Sequence, residues 1–256
     1  MMSETTGRQL EGKVVLVVGA SAGIGADAVR LFAREGARLV LAARRREPLQ
    51  RLEEEIAQAG GEVVAVTGDV AVAADAEGFV ETALDRYGRL DGAFNNAGMN
   101  QYGRLDDVSE EEFDRIMAVN VKGTWLCLRA QLRAMRPAGA GSIVNTSSIG
   151  GFRGSTGLGA YQATKHAVIG MTRTAAHDNG PDGIRVNAIA PGPTETPMLA
   201  TWRRDDPDAV ARRVAAVPLR RPSLASEVAE AAAWLLSDRA SAITGVVLPV
   251  DGGYSA

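Results

Sequence analysis

Short runs of almost uninterrupted apolar residues alternate with amphipathic stretches of helical length along most of the chain. Seven of these runs predict strands, at residues 13–18, 38–42, 62–67, 92–95, 142–146, 184–189 and 246–250. Helices are predicted at 23–35, 48–59, 73–87, 110–135 and 160–179. Strands that are apolar on both faces require cover on both sides, which crossover helices provide. The alternation therefore predicts an α/β fold, a doubly wound parallel sheet of about seven strands with helices on both faces.

Ligands of a doubly wound sheet bind in the crevice at the carboxyl ends of its strands. The strand-end segments predicted to meet there are 19–25, 43–46, Asp69, 95–98, 147–159 and 191–196. A capping box, with Ser109 followed by Glu112 three residues later, marks the start of the fourth helix. We expect the functional residues in the strand-end segments.

Composition indicates how many domains the chain has and which partners, disulfides and metals it lacks. The 256 residues contain no linker-like or low-complexity segment, so we interpret 1–256 as a single domain. A net charge of -3 favours neither nucleic acid nor an anionic membrane as a partner. Cys127 is the only cysteine, in an apolar stretch, which predicts a buried thiol and excludes an internal disulfide. With only two histidines and no ligand-like spacing, no metal site is predicted.

Targeting signals are not predicted. Residues 1–12 are polar and lack the apolar core of a signal peptide. The apolar runs are far too short to cross a bilayer. We therefore expect no membrane association and a cytoplasmic protein.

The first strand runs directly into the glycine-rich segment Gly19-Ala20-Ser21-Ala22-Gly23-Ile24-Gly25, which a helix follows. Glycines permit a tight turn and a close approach of backbone to a pyrophosphate, and the helix N-terminus offers free N–H donors. The spacing is G-x-x-x-G-x-G rather than G-x-G-x-x-G, and it lacks the Lys-Ser/Thr ending of a P-loop. The alternative is a simple strand-to-helix connection.

The sequence resembles the short-chain dehydrogenase/reductase family over essentially its whole length. The residues that carry the resemblance are the glycine segment 19–25, Asp69, Asn95-Asn96-Ala97-Gly98, Asn120, Ser148, Tyr161-x-x-x-Lys165 and Pro191-Gly192. The resemblance implies a Rossmann-like oxidoreductase that interconverts a ketone and a secondary alcohol by hydride transfer. One departure is Val18, where the family often has a threonine whose hydroxyl steadies the 95–98 turn.

The resemblance also implies which residues bind the nicotinamide cofactor. They are Gly19, Ser21, Gly23, Ile24, Gly25, Arg44, Asp69, Val70, Asn96, Ala97, Gly98, Tyr161, Lys165, Pro191, Gly192 and Thr194. Asp69 would contact the adenine and Lys165 the nicotinamide ribose. A plain alternative for the Asn95-Asn96 pair is a turn, which Asn and Gly favour in any case.

Four residues are predicted to catalyse the reaction. Tyr161 and Lys165 share one face of the predicted 160–179 helix, and a neighbouring ammonium should lower the pKa of a tyrosine acid/base. Ser148, at the end of the fifth strand, would bond the substrate oxygen, and we prefer it to Ser147 on its spacing from Tyr161. The family resemblance implies that Asn120 holds a water that links Lys165 to solvent. The alternatives are a chance Tyr/Lys pair, and an Asn120 that caps a local helix distortion.

The end of the second strand bears on the choice of cofactor. A carboxylate there would bond the adenosine ribose of NAD(H), but the position is Ala43, followed by Arg44, Arg45 and Arg46. Arg44 is the best placed to grip a 2′-phosphate. NADP(H) is therefore favoured and NAD(H) is possible; the alternative is a solvated arginine turn.

Residues 193–221 occupy the position of the family's variable substrate lid. Met198, Leu199 and Trp202 offer an apolar cover. The lid arginines are at 203, 204, 212, 213, 220 and 221; they indicate either an acidic group on the substrate or a solvated helix face. An acidic group on the substrate would fit a 3-oxoacyl-carrier-protein reductase, which is one alternative function. A second is a non-enzymatic NADP-binding regulator, because a fold alone does not establish chemistry. The strand and tail at 246–256 resemble the family's dimer-forming end, and the long helices at 110–135 and 160–179 are candidates for a second interface. The resemblance therefore implies a homotetramer.

Overall fold

The computed structural model describes residues 8–256. The prediction that residues 1–12 contain no signal peptide falls mostly outside this range. Strands form at Val14–Val18 (β1), Arg38–Ala43 (β2), Val63–Thr67 (β3), Gly92–Asn95 (β4), Gly141–Thr146 (β5), Ile184–Pro191 (β6), Thr194–Glu195 (β7), Ser223–Leu224 (β8) and Val247–Val250 (β9). Helices form at Gly23–Arg34 (α1), Arg46–Gln58 (α2), Ala73–Tyr87 (α3), Glu110–Met117 (α4), Gly123–Met135 (α5), Gly159–Asn179 (α6), Pro197–Asp205 (α7), Pro207–Ala215 (α8) and Ala225–Leu236 (α9).

Seven strands form one parallel sheet in the order β3-β2-β1-β4-β5-β6-β9. These are the seven predicted strands, with ends that differ by at most two residues, so the predicted fold is confirmed. The chain moves outward from β1 to β3 and then returns to pair β4 with the other side of β1. This switch opens a crevice between the carboxyl ends of β1 and β4, beside Val18 and its partner Asn95.

Alternate residues of each central strand pack into opposite helical layers. In β1, Val15 and Val17 join the core beneath α1, α2 and α9, whereas Val14, Leu16 and Val18 join the core beneath α3, α5 and α6. Both layers exclude water, which explains why these strands are apolar at every position. Cys127 is buried on the second layer, and burial raises the pKa of its thiol to about 12.

The predicted 110–135 helix is interrupted. Residues Ala118–Lys122 form a single π-helical turn between α4 and α5. At the start of α4, the Ser109 side chain accepts a 3.2 Å hydrogen bond from the Glu112 N–H, as the capping box predicted. A π turn inside a helix often marks a functional site, and this one contains Asn120.

Two parts of the chain were not predicted in detail. The helix α9 was missed, although its Ala-rich sequence places Val228, Ala229, Ala232 and Ala233 on one face that is buried against α1. The lid contains β7, α7 and α8, and β7 pairs in parallel with β8, which lies just beyond the lid. Within residues 8–256, no helix is both long enough and apolar enough to span a membrane.

Candidate active site

A cleft of about 640 Å³ lies at the carboxyl ends of the strands. That volume is in the range of small-molecule and cofactor sites. Fifteen of the predicted site residues line it: Gly19, Ser21, Gly23, Ile24, Arg44, Val70, Asn96, Ala97, Gly98, Ser148, Tyr161, Lys165, Pro191, Gly192 and Thr194. The lining does not include Gly25, Asp69 or Asn120.

The glycine turn is tight enough to require glycine. Gly19 has a φ of +85°, and a Cβ added there would lie 2.5 Å from the Ala97 nitrogen. A Cβ on Gly25 would lie 2.2 Å from the Gly19 carbonyl oxygen, so the turn has no room for a side chain at Gly25. The first turn of α1 has no side-chain cap at Ala22 and no acidic residue, which leaves its N–H groups available. This cradle fits a pyrophosphate group.

The adjacent end of β2 is cationic. Arg44 and Arg45 both line the cleft, and the Arg45 guanidinium donates a 3.1 Å hydrogen bond to the Ser21 hydroxyl of the glycine turn. Arg44 lies 3.9 Å from the Asp69 carboxylate, which sits at the rim and accepts a bond from the Ala71 N–H. The sequence analysis singled out Arg44 and gave no role to Arg45, because nothing in the sequence shows that its side chain turns back toward Ser21.

In the Asn95–Gly98 turn, the first asparagine side chain lies in the core and the second faces the cleft. Asn95 is buried and donates hydrogen bonds of 2.9 Å to Gln131 and Asn145. Asn96 faces the cleft, and its amide donates to the Gly19 carbonyl at 3.3 Å. The Thr146 hydroxyl lies 3.4 Å from the Asn96 side-chain oxygen, so a hydroxyl steadies this turn although Val18 has none.

Tyr161, Lys165 and Ser148 meet on one wall of the cleft. The Lys165 Nζ lies 5.5 Å from the centroid of the Tyr161 ring and donates a 2.9 Å hydrogen bond to the Thr146 carbonyl. The Ser147 hydroxyl donates instead to the Lys165 carbonyl at 3.0 Å and is buried. Both serines line the cleft, but the Ser147 proton is committed to the Lys165 carbonyl on α6. The Ser148 hydroxyl accepts from the Gly150 N–H at 3.1 Å, so its proton is the one that remains for a ligand in the cleft.

The expected direction of the Tyr161 pKa shift is wrong. Burial raises the pKa of Tyr161 above its usual value, and the Ser148 hydroxyl and the positive charge of Arg213 offset only part of this rise. Burial also lowers the pKa of Lys165, to about 8. The Lys165 ammonium is directed to the Thr146 carbonyl rather than to the phenol oxygen, which explains why it does not dominate the Tyr161 pKa.

Asn120 lies in the π turn behind this wall. Its side-chain oxygen accepts from the Met99 N–H at 2.9 Å, and its amide donates to the Met99 carbonyl at 2.9 Å and to the Thr164 hydroxyl at 3.0 Å. The helix distortion considered in the sequence analysis is therefore present. Asn120 ties the segment after Gly98 to α6, the helix that carries Tyr161 and Lys165.

The other end of the cleft is covered by the lid. Met198, Leu199 and Trp202 line it, as the sequence suggested. Tyr102 and Arg213 also line it, and the Tyr102 ring stacks on Trp202 with centroids 5.2 Å apart. Tyr102 was missed, because it belongs to an irregular segment whose direction no local pattern indicates.

Comparison with known proteins agrees with this arrangement. Residues 19–255 match the family model described as Enoyl-(Acyl carrier protein) reductase. The chain is 46% identical over 251 residues to the A-factor type gamma-butyrolactone 1'-reductase (1S-forming) of Streptomyces virginiae, and the match covers 96% of each chain.

Solved structures agree as well. The crystal structure of levodione reductase matches with a TM-score of 0.91 at 39% identity, covering 96% of this chain and 98% of that one. A variant of the actinorhodin polyketide ketoreductase with NADPH matches with a TM-score of 0.91 at 35% identity, covering 95% and 97%. The chain therefore belongs to the short-chain dehydrogenase/reductase family and is an oxidoreductase that interconverts carbonyl and alcohol groups with a nicotinamide cofactor.

Proposed function

We propose that the protein is an NADP(H)-preferring ketone reductase in which Tyr161 is the acid/base. The observation that carries this proposal is the meeting of Tyr161, Lys165 and Ser148 on one cleft wall, opposite the glycine cradle of the same cleft. Proton donor, oxygen-binding hydroxyl and pyrophosphate cradle are the parts that such a reduction requires.

Each residue on the wall has a distinct task. When bound, the nicotinamide supplies a hydride to a ketone or accepts one from an alcohol. The Ser148 hydroxyl donates a hydrogen bond to the substrate oxygen and stabilises the negative charge that develops there. The Tyr161 Oη gives its proton to that oxygen in reduction and takes it back in oxidation.

Lys165 and Asn120 support this proton transfer. The Lys165 ammonium lies over the Tyr161 ring, where its charge stabilises the phenolate left after donation. Asn120 holds the Met99 main chain and Thr164 in place, and Thr164 in turn donates to the Tyr161 carbonyl at 2.6 Å. The link from Lys165 to solvent through a water held by Asn120 stays a prediction.

The preference for NADP(H) rests on the charge at the end of β2. Arg44 and Arg45 present two guanidinium groups to the cleft, and no carboxylate occupies the position of Ala43. Guanidinium groups bind phosphate through paired, charge-assisted hydrogen bonds. The actinorhodin ketoreductase neighbour was solved with NADPH, which supports the same preference.

A carrier-bound oxoacyl substrate is the second candidate, because the matched family model is described by an acyl-carrier-protein reaction. The lid arginines give it little support. Arg203 pairs with Glu195 at 2.7 Å, Arg204 with Asp205 at 3.5 Å and Arg221 with Glu227. A carrier protein would have to compete with these internal pairs, so a free small molecule is the substrate we favour. The third alternative is a non-enzymatic regulator. Because the chain is an oxidoreductase, a purely regulatory function does not account for it.

The test is consumption of NADPH, followed by its absorbance, with simple ketones, diketones and 3-oxoacyl thioesters. The proposal expects turnover with ketones or diketones and a clear preference for NADPH over NADH. Turnover of the thioesters alone would instead support the carrier-linked reaction. The single domain, the homotetramer and the cytoplasmic location stay predictions; light scattering of the purified protein tests the tetramer.

A further inference from the structure

One lid arginine differs from its neighbours. Arg213, on α8, is half-buried and lines the cleft together with Tyr161. Across residues 8–256, no carboxylate forms an ion pair with it, although Asp205 and Asp206 line an adjoining cavity that Arg213 also reaches. A partly buried cation without an anionic partner favours an electron-rich group that comes to it.

Aromatic rings hold Arg213 in place. Its guanidinium carbon lies 5.0 Å from the centroid of the Trp202 ring, which is a cation–π distance. Trp202 stacks on Tyr102 in turn, and the Asn100 amide donates a 2.6 Å hydrogen bond to the Tyr102 hydroxyl. These ring contacts hold the Arg213 guanidinium at the lid, and they leave its N–H groups available to a ligand.

The charge of Arg213 acts at the reacting end of the cleft. It lowers the pKa of Tyr161 and of Tyr102, partly against the rise that burial causes. A substrate whose carbonyl lies at Tyr161 therefore extends into the field of Arg213. Among the other lid residues that line the cleft, Met198 and Leu199 are apolar, and the hydroxyls of Thr194 and Thr196 donate to main-chain carbonyls.

We propose that Arg213 is a specificity-determining residue that binds a second oxygen acceptor on the substrate, a carboxylate or a second carbonyl group. This inference rests on the proposed ketone reduction and names its substrate class: ketones that carry another electron-rich oxygen a few bonds from the reacting carbonyl. Trp202 and Tyr102 form the apolar side against which the body of the substrate packs.

Three ketones of one ring size test the proposal: cyclohexanone, 1,4-cyclohexanedione and 4-oxocyclohexanecarboxylate. Arg213→Gln should lower kcat/KM by about tenfold or more for at least one of the two oxygen-bearing ketones, and by less than about threefold for cyclohexanone. The matched control is Arg204→Gln, which removes an equal charge from an exposed lid position outside the cleft and should change none of the three. A loss confined to one ketone identifies which acceptor Arg213 binds.

A binding measurement separates this inference from the proposed function. Tryptophan fluorescence should report tighter binding of cyclohexanecarboxylate than of cyclohexanemethanol if the acceptor is a carboxylate, and of 1,4-cyclohexanedione than of cyclohexanone if it is a carbonyl. Arg213→Gln should abolish the difference in a variant that circular dichroism shows to be folded. An Arg213→Gln variant that slows all three ketones by the same factor, or none, overturns the role of Arg213 and leaves ketone reduction standing. Selective binding without turnover of any ketone overturns the proposed function instead and leaves Arg213 as an anion site.

Discussion

The Lys165 ammonium lies over the face of the Tyr161 ring, 5.5 Å from its centroid, and both groups are enclosed by the wall of the cleft. Burial acts on them in opposite senses, because it disfavours the charged form of each: it raises the pKa of the phenol and lowers that of the ammonium to about 8. Near neutral pH both groups thus retain their protons. This is the state from which Tyr161 can donate to a carbonyl oxygen.

The first prediction concerns pH. Because the pKa of Lys165 is lowered to about 8, the ammonium is present below that pH and is lost as the pH rises through it. We expect kcat/KM for ketone reduction to fall above about pH 8. In Lys165→Arg, whose guanidinium stays protonated, the falling limb should move to higher pH even if turnover is slower. The exposed Lys122→Arg is the control, and a limb that stays near 8 in Lys165→Arg would assign it to another group.

The second prediction separates two adjacent serines. Ser148→Ala removes the hydroxyl whose proton remains for the cleft and should lower kcat about 100-fold, with a loss of about 1 kcal/mol in the free energy of unfolding because the Gly150 N–H loses its partner. Ser147→Ala removes the buried hydrogen bond to the Lys165 carbonyl and should lower the free energy of unfolding by about 1 kcal/mol. Steady-state kinetics and urea denaturation of both variants check this. The reverse pattern, with turnover lost in Ser147→Ala and retained in Ser148→Ala, would exchange the two roles.

The third prediction concerns the glycine cradle. Gly19→Ala places a Cβ 2.5 Å from the Ala97 nitrogen at a φ of +85°, and should lower the free energy of unfolding by about 3 kcal/mol and weaken NADPH binding. Gly78→Ala, inside α3 where a Cβ meets no atom within 4 Å, should instead raise it by about 1 kcal/mol. Urea denaturation measures both changes. Equal effects of the two substitutions would show that the turn is looser than described.

The fourth prediction concerns cofactor choice. The double substitution Arg44→Gln with Arg45→Gln should raise the Kd for NADPH about tenfold or more and that for NADH by less than about twofold. Arg46→Gln, which removes the neighbouring charge but does not line the cleft, should leave both values unchanged. Fluorescence titration of each variant measures the affinities, and the two single variants divide the effect between Arg44 and Arg45. An equal loss of both cofactors would contradict a 2′-phosphate role.

The parts of the fold that local sequence determines could be predicted. Continuous apolar strands such as Val14–Val18, and the glycines that follow them, report burial and a close backbone approach directly. The unfavourable asparagine in the fourth predicted helix correctly signalled a distortion near Asn120. Long-range contacts could not be predicted, because the stacking of Tyr102 on Trp202 joins an irregular segment to α7, which lies far away in the chain.

The pKa of Tyr161 also depends on both a local feature that the sequence shows and long-range packing that it does not show. The spacing of Tyr161 and Lys165 indicates that the two side chains share a helix face, and it suggests that the ammonium lowers the tyrosine pKa. In the structure, burial sets the direction of the shift, and the Lys165 ammonium donates to the Thr146 carbonyl. Neither is visible in a helical repeat, since both depend on how α6 packs against the end of β5.

The most direct test of the central claim is single-turnover reduction of a ketone by NADPH-loaded Tyr161→Phe. The substitution removes only the phenol oxygen, so the variant should stay folded and still bind NADPH, which thermal unfolding and fluorescence titration check before the kinetics. With Tyr161 as proton donor, the rate constant for NADPH oxidation should fall by at least about a hundredfold. A folded, NADPH-binding Tyr161→Phe variant that reduces the ketone at the original rate would contradict the claim and place the proton donor elsewhere.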